Sequence, residues 1–298
     1  MSSTPDLWAK VLWKDQSYPD NYIPKDAFLS SLKTNPNFRP YTYWPLVVLC
    51  CAITQHLATI FIFLSVFARV QDGSLDPRLL IFLSMGCFLS GYFIWELLLH
   101  CTSPRFSETN HLDRIKALKS SILIFLALMS LSPVLRTLTA ATSSDSIWAL
   151  SAALFMVNIL LADYGSSSNL SQPIVHERLT SVLSMNAAIS SSVVLASRLS
   201  TDLAVFALVL FSVQAFTLFP MLRRRLQNTP VILRASLTLS LSASALILAA
   251  TSSSWTIACL FGSILFSVTF LAPAVLVWAQ KYKNEIRGPW DVAVPKVN

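Results

Sequence analysis

Apolar residues along this chain gather into eight long runs separated by short polar stretches. The runs predict helices over 44–68, 79–99, 118–135, 147–163, 182–199, 203–222, 231–251 and 255–279. Most are nearly free of charge and approach the roughly 20 residues that a bilayer-crossing helix needs. No long apolar/polar alternation occurs and Gly is scarce, with six in all, so a transmembrane β-barrel does not fit. The expected fold is all-α: a polytopic membrane protein of about eight transmembrane helices. An even count puts both termini on one side, the cytosolic side by the charge argument below. Three regions follow: a cytosolic amphipathic segment over 1–43, the helical domain over 44–279 and a cytosolic tail over 280–298.

Finer patterns sit inside this frame. Leu7, Trp8, Val11 and Leu12 share a helical face opposite Lys10 and Lys14, and Phe28, Leu29 and Leu32 repeat the idea beside Lys25 and Lys33. Such a segment suits either the lipid headgroup zone or a partner protein. In the fifth run Ser184, Ala188, Ser192 and Ala196 form a small-residue ridge, a device for close helix packing; Ser236, Ser240 and Ser244 make a similar one in the seventh. The stretch 129–165 holds Arg136, Asp145 and Asn158 and ends in Asp163-Tyr164-Gly165. The apolar residues 147–162 between the two acids make about 24 Å of helix, short of a hydrocarbon core roughly 30 Å thick. The acids are then either headgroup-zone helix ends or functional charges drawn toward the core. Pro133, Pro220 and Pro273 are expected to kink or end their helices.

Composition supports the membrane reading. Of 298 residues, 54% are hydrophobic and 12% charged, against about 25% charged in soluble domains. The net charge of +7 reads as topology rather than as nucleic-acid binding. With eight helices, 18 of the 22 basic residues fall on the side of the termini, and only Arg69, Arg78, Arg136 and Arg198 on the other. That bias marks the cytosolic side. No cleavable signal peptide is expected, since 1–43 is polar and aromatic. The sequon Asn169-Leu170-Ser171 falls on the cytosolic side and should stay unmodified. Cys50, Cys51, Cys87, Cys101 and Cys259 form no CxxC pair; buried packing is expected of them, with S-acylation as the alternative for Cys50, Cys51 and Cys101.

Catalytic signatures are missing. The chain contains no DxD, GxGxxG, Walker A or HExxH motif, and its four histidines are scattered at 56, 100, 111 and 176. No metal site and no cofactor is expected.

Several motifs in order carry a resemblance: Trp8 to Trp13 with Tyr18-Pro19-Asp20-Asn21-Tyr22, then Ser132 to Thr139, Asp163-Tyr164-Gly165, Leu183 to Ala188, Leu195 to Leu199, Phe219-Pro220-Met221-Leu222 and Gly288-Pro289-Trp290-Asp291. Together they resemble the PIG-C family, one of the subunit families of phosphatidylinositol N-acetylglucosaminyltransferase. The resemblance implies a multi-pass protein of the endoplasmic reticulum membrane. Its complex transfers N-acetylglucosamine from UDP-N-acetylglucosamine to phosphatidylinositol, the first step of GPI-anchor biosynthesis. It further implies a PIG-A-type catalytic subunit and partners of the PIG-H, PIG-P, PIG-Q and PIG-Y types. It supplies no catalytic residue to carry over. The polar stretch 166–181 departs from the family's pattern as a lengthened loop.

Within that reading the chain is a non-catalytic scaffold or a subunit that builds part of the lipid site. Arg223, Arg224 and Arg225, at the predicted cytosolic end of the sixth helix, are candidates for the lipid headgroup, with Asp163 and Tyr164 at the same face. The plainer reading is that the triplet is only a topology signal and that Asp163 and Tyr164 cap helix contacts. Arg136 is expected to form a structural ion pair with Asp145, Asp202 being the alternative. Apart from the resemblance, a polytopic transporter or lipid flippase remains open.

Overall fold

A computed structural model describes residues 15, 18, 19, 22, 33–35, 38–102, 110–137, 142–164, 174–226, 230–252, 255–283 and 286–287. The amphipathic patterns at 7–14 and 25–32, the sequon at Asn169, Gly165 and the motif at 288–291 lie outside the described residues.

Among the described residues, eight helices follow the eight apolar runs. They are α1 (Tyr43–Gln71), α2 (Pro77–Thr102), α3 (Asn110–Thr137), α4 (Ser144–Leu161), α5 (Ile174–Ala196), α6 (Asp202–Leu226), α7 (Val231–Ser252) and α8 (Trp255–Tyr282). Seven are long and apolar enough to cross a membrane; α5 offers a shorter apolar stretch, Ser181–Ala196. The chain is an all-α, polytopic membrane protein. Helix α5 stops three residues before the predicted end at 199, where Leu199 N–H turns back to the Ala196 carbonyl. Helix starts carry side-chain caps: Ser143 accepts from Ser146 N–H and Thr201 from Ala204 N–H, each filling a donor that the first turn leaves open.

The chain divides into two compact units, one of them Trp44–Pro273. At its centre are α1 and α6, with 56% and 50% of their apolar windows buried, against 6–22% for α2, α3, α4, α7 and α8. Phe63 of α1, Phe155 of α4 and Phe216 of α6 meet with ring centroids 5.3–5.8 Å apart. The ridge of α5 lies inside: Ser184, Ala188, Ser192 and Ala196 are all buried. Beside it Ser151 and Ser191 join α4 to α5 through hydroxyls 2.9 Å apart. The ridge of α7 does the opposite. Ser236, Ser240 and Ser244 are exposed, and each hydroxyl donates to a carbonyl of its own helix.

Two helices contain a π turn, Gln214–Leu218 in α6 and Ser267–Leu271 in α8, each followed two residues later by a proline, Pro220 or Pro273. Proline clashes with the carbonyl four residues before it, here Phe216 or Thr269, and both lie in the widened turns. The expected kinks thus take the form of π turns, whereas Pro133 sits within continuous α-helix. The packing role expected of the cysteines fails for Cys87 and Cys259, which are exposed on helix surfaces.

The other unit consists of Met1–Tyr43 and Ala274–Asn298. In it Lys33–Thr34 (β1) pairs antiparallel with Ile286–Arg287 (β2). Asn35 Nδ2 donates to the Lys283 carbonyl at 2.7 Å, and Tyr41 and Gln280 exchange two hydrogen bonds. Asn35 adopts a left-handed φ of 52°, which Asn tolerates better than most residues.

Candidate functional site

Helix α1 interrupts its apolar run with three consecutive polar residues, Thr54, Gln55 and His56, all buried. Successive helical residues point about 100° apart, so the three reach different neighbours. Thr54 Oγ1 meets Thr269 Oγ1 of α8 at 2.7 Å. Gln55 Nε2 donates to Thr238 Oγ1 of α7 at 2.9 Å and to the Arg234 carbonyl. His56 joins Asn158 of α4 and Tyr164 just beyond it, both at 2.8 Å.

Proton directions along the His56 chain are fixed by its far end. Asn158 Nδ2 donates to both the carbonyl and the hydroxyl of Ser184, and Ser184 Oγ returns a bond to the Asn158 carbonyl. The Asn158 Oδ1 is therefore the acceptor toward His56 Nε2, which carries the imidazole proton. Nδ1 then accepts from the Tyr164 hydroxyl. Burial pushes the Tyr164 phenol up to about 12, with the nearby Arg223 cation opposing, so the phenol keeps its proton at physiological pH. A second acceptor for that proton, the Ile159 carbonyl, lies 3.0 Å away.

The arginine triplet closes α6 beside this chain, and its members part company. Arg223 is buried at 4% exposure; its Nη1 donates to the Ala52 carbonyl at 3.0 Å, and its guanidinium lies 5.9 Å from the Tyr164 ring centroid. Arg224 pairs with Asp163 at 3.4 Å and donates to Ser181 Oγ. This pair is about half-exposed on the arginine side, so it contributes at most about 1 kcal/mol. Arg225 turns away and stacks over Trp95 of α2 at 4.3 Å. The structure thus brings Arg223, Arg224, Asp163 and Tyr164 together and separates Arg225. Next to Arg223 lies a cavity of about 60 Å³ whose wall also includes Tyr164, Gln55 and Arg234. A larger apolar cavity of about 440 Å³ borders the π turn of α6 between α2 and α7.

The expected ion pair is corrected. Arg136 bonds Asp202 at 3.0 Å, not Asp145. Ser132 Oγ donates to the Asp202 carbonyl, tying the end of α3 to the start of α6. Asp145 instead sits in the first turn of α4, where the helix dipole favours a negative charge. Arg198 donates to the Thr142 carbonyl. Among the described residues, no group of three or more His, Cys, Asp or Glu side chains is placed to hold a metal.

A family model described as GPI2, phosphatidylinositol N-acetylglucosaminyltransferase, matches residues 8–291. This chain belongs to the GPI2 family. Among curated relatives, the phosphatidylinositol N-acetylglucosaminyltransferase GPI2 subunit of Schizosaccharomyces pombe is 38% identical over 97% of this chain and 87% of its own. A putative subunit of the same transferase from Dictyostelium discoideum is 34% identical over 96% and 79%. The Homo sapiens relative, likewise named as a subunit of this transferase, is 33% identical over 96% and 92%. No solved structure matches. Within this GPI2 chain, His56 and Arg234 belong to the polar cluster although the sequence pattern reads the first as a scattered histidine and the second as topology. The polar triplet inside an apolar span is the signal that points to them, since ionisable groups there are functional candidates by default.

Proposed function

We propose that this GPI2-family chain is a non-catalytic membrane subunit of the complex that transfers N-acetylglucosamine from UDP-N-acetylglucosamine to phosphatidylinositol. In this reading it works in the endoplasmic reticulum membrane, with both termini cytosolic, and forms part of the lipid site. Its partners are a PIG-A-type subunit, which performs the transfer chemistry, and subunits of the PIG-H, PIG-P, PIG-Q and PIG-Y types. The observation that carries the proposal is the family match across residues 8–291. The lipid-site role is supported by Arg223, Arg224, Asp163 and Tyr164 meeting at one end of the helices. A sugar-transfer complex working on a membrane lipid needs its reacting atoms held in register with the headgroup, since small misplacements cost much rate. A helical body with a cationic end supplies such a reference.

The test is N-acetylglucosamine transfer to phosphatidylinositol in microsomes depleted of this protein. Product should be lost and return on re-expression. Normal product in depleted microsomes would refute the proposal and leave a transporter as the reading to test.

A further inference from the structure

Two arginines from different helices line the same small cavity, and each has a buried Nε without an acceptor among the described residues. Arg223 ends α6 and Arg234 lies in the first turn of α7; both line the cavity of about 60 Å³ together with Ala52, Gln55 and Tyr164. Arg223 is 4% exposed. Its Nη1 has the Ala52 carbonyl, but its Nε finds no acceptor among the described residues, and the Nε of Arg234 is buried and equally unmet. Nor does either arginine form an ion pair with a carboxylate among the described residues. The neighbouring acid, Asp163, is bonded by Arg224.

Such an arrangement is costly as it stands. Buried donors almost always have partners, and a charge removed from water needs a counter-charge. The Tyr164 ring softens the Arg223 charge, yet it offers no acceptor for Nε. An anion in the cavity would answer both guanidinium groups. We propose that the cavity between Arg223 and Arg234 binds a phosphate group.

Phosphate fits better than carboxylate. Its tetrahedral oxygens can accept from two guanidinium groups arriving from different helices, whereas a flat carboxylate matches one fork. The cavity exceeds the roughly 10–15 Å³ that a single water needs. Its remaining wall is largely apolar, with Val48, Leu226 and Leu237, as suits a phosphodiester between headgroup and hydrocarbon. The phosphate itself can come from a lipid headgroup or from a soluble phosphate compound. Only the choice of the lipid rests on the function proposed above.

The test uses the full chain with its accompanying subunits, purified in neutral detergent. Its thermal unfolding midpoint is followed while short-chain phosphatidylinositol, inorganic phosphate or UDP-N-acetylglucosamine is titrated in. Phosphatidylinositol should stabilise saturably. Arg234→Gln should raise the half-saturating concentration about tenfold or more, as expected for loss of one charge-assisted hydrogen bond. Arg78→Gln, on the exposed first turn of α2, should leave it unchanged. Arg223→Lys keeps the charge without Nε and should weaken binding likewise; should it fail to fold, Arg234→Gln decides. Saturable stabilisation by inorganic phosphate or the sugar nucleotide alone, lost in the same variants, would keep the phosphate site and assign it a soluble ligand. No stabilisation by any probe, or half-saturation unmoved by Arg234→Gln, would overturn the proposal. The microsomal transfer assay stands apart: intact dependence on the chain, with no phosphate binding, removes this site and leaves the subunit role standing.

Discussion

Asn158 is the residue through which α1, α4 and α5 agree on their positions. It accepts from His56 and donates twice to Ser184. Asn158→Leu would leave the His56 Nε2 proton and the Ser184 carbonyl without these bonds. In water, stranded buried groups cost about 1–3 kcal/mol each. Between membrane helices the cost is smaller, because the separated helices find other partners, and about 1–2 kcal/mol is expected for the substitution. A lowered unfolding midpoint in detergent, with helix content unchanged, would show it. A midpoint equal to wild type would mean that the His56 chain does not hold the helices together. His56 is hard to read from sequence for a plain reason. Its partners lie 102 and 108 positions away, and no local spacing announces them.

At the scale of elements, the eight helices are legible because lipid-facing and core-facing positions are both apolar, so each span reads as one run. Their mutual rotation is not legible for that same reason: a helix apolar all round does not say which face meets a neighbour. The two small-residue ridges show this. They look alike as sequence, yet that of α5 is buried and that of α7 exposed. The arginine triplet is visible as charge, but the separate fates of Arg223, Arg224 and Arg225 depend on what α1, α5 and α2 place beside them. The proline positions are visible too, while the π turns that accommodate two of them are not. The pair at the α3–α6 junction offers a direct check. A double-mutant cycle on Arg136 and Asp202 should give a coupling of about 0.2–1 kcal/mol, the range of exposed pairs. The cycle on Arg136 and Asp145 should give none. Coupling to Asp145 instead would overturn the observed pairing.

For the whole molecule, the strand pair between 33–34 and 286–287 is a statement about parity. The segment leading into α1 is bonded to the segment leaving α8, which requires an even number of crossings. Seven helices are long and apolar enough to cross, so the proposed placement of both termini on one side needs α5 to cross as well, despite its shorter apolar stretch. In the proposed topology the joined segments lie in the cytosol, the side that the basic-residue bias predicts for them. In a background without the native cysteines, Lys281→Cys should react with an impermeant maleimide in intact microsomes. Ser74→Cys, in the exposed turn between α1 and α2, should react only after permeabilisation. The reverse pattern would invert the topology, and equal labelling of both would break the even count.

That joined pair of segments also orders events in time. Its two strands stand some 250 residues apart in the chain, and translation proceeds at about 5–20 residues per second. The first strand leaves the ribosome before α1 and waits, through the synthesis of α1 to α8, for a partner made only after them. No shorter product can close it. A chain truncated anywhere within α8 would carry most of its spans and still have its first strand unclaimed. The pairing of these two segments is therefore a record that every helix from α1 to α8 has been made.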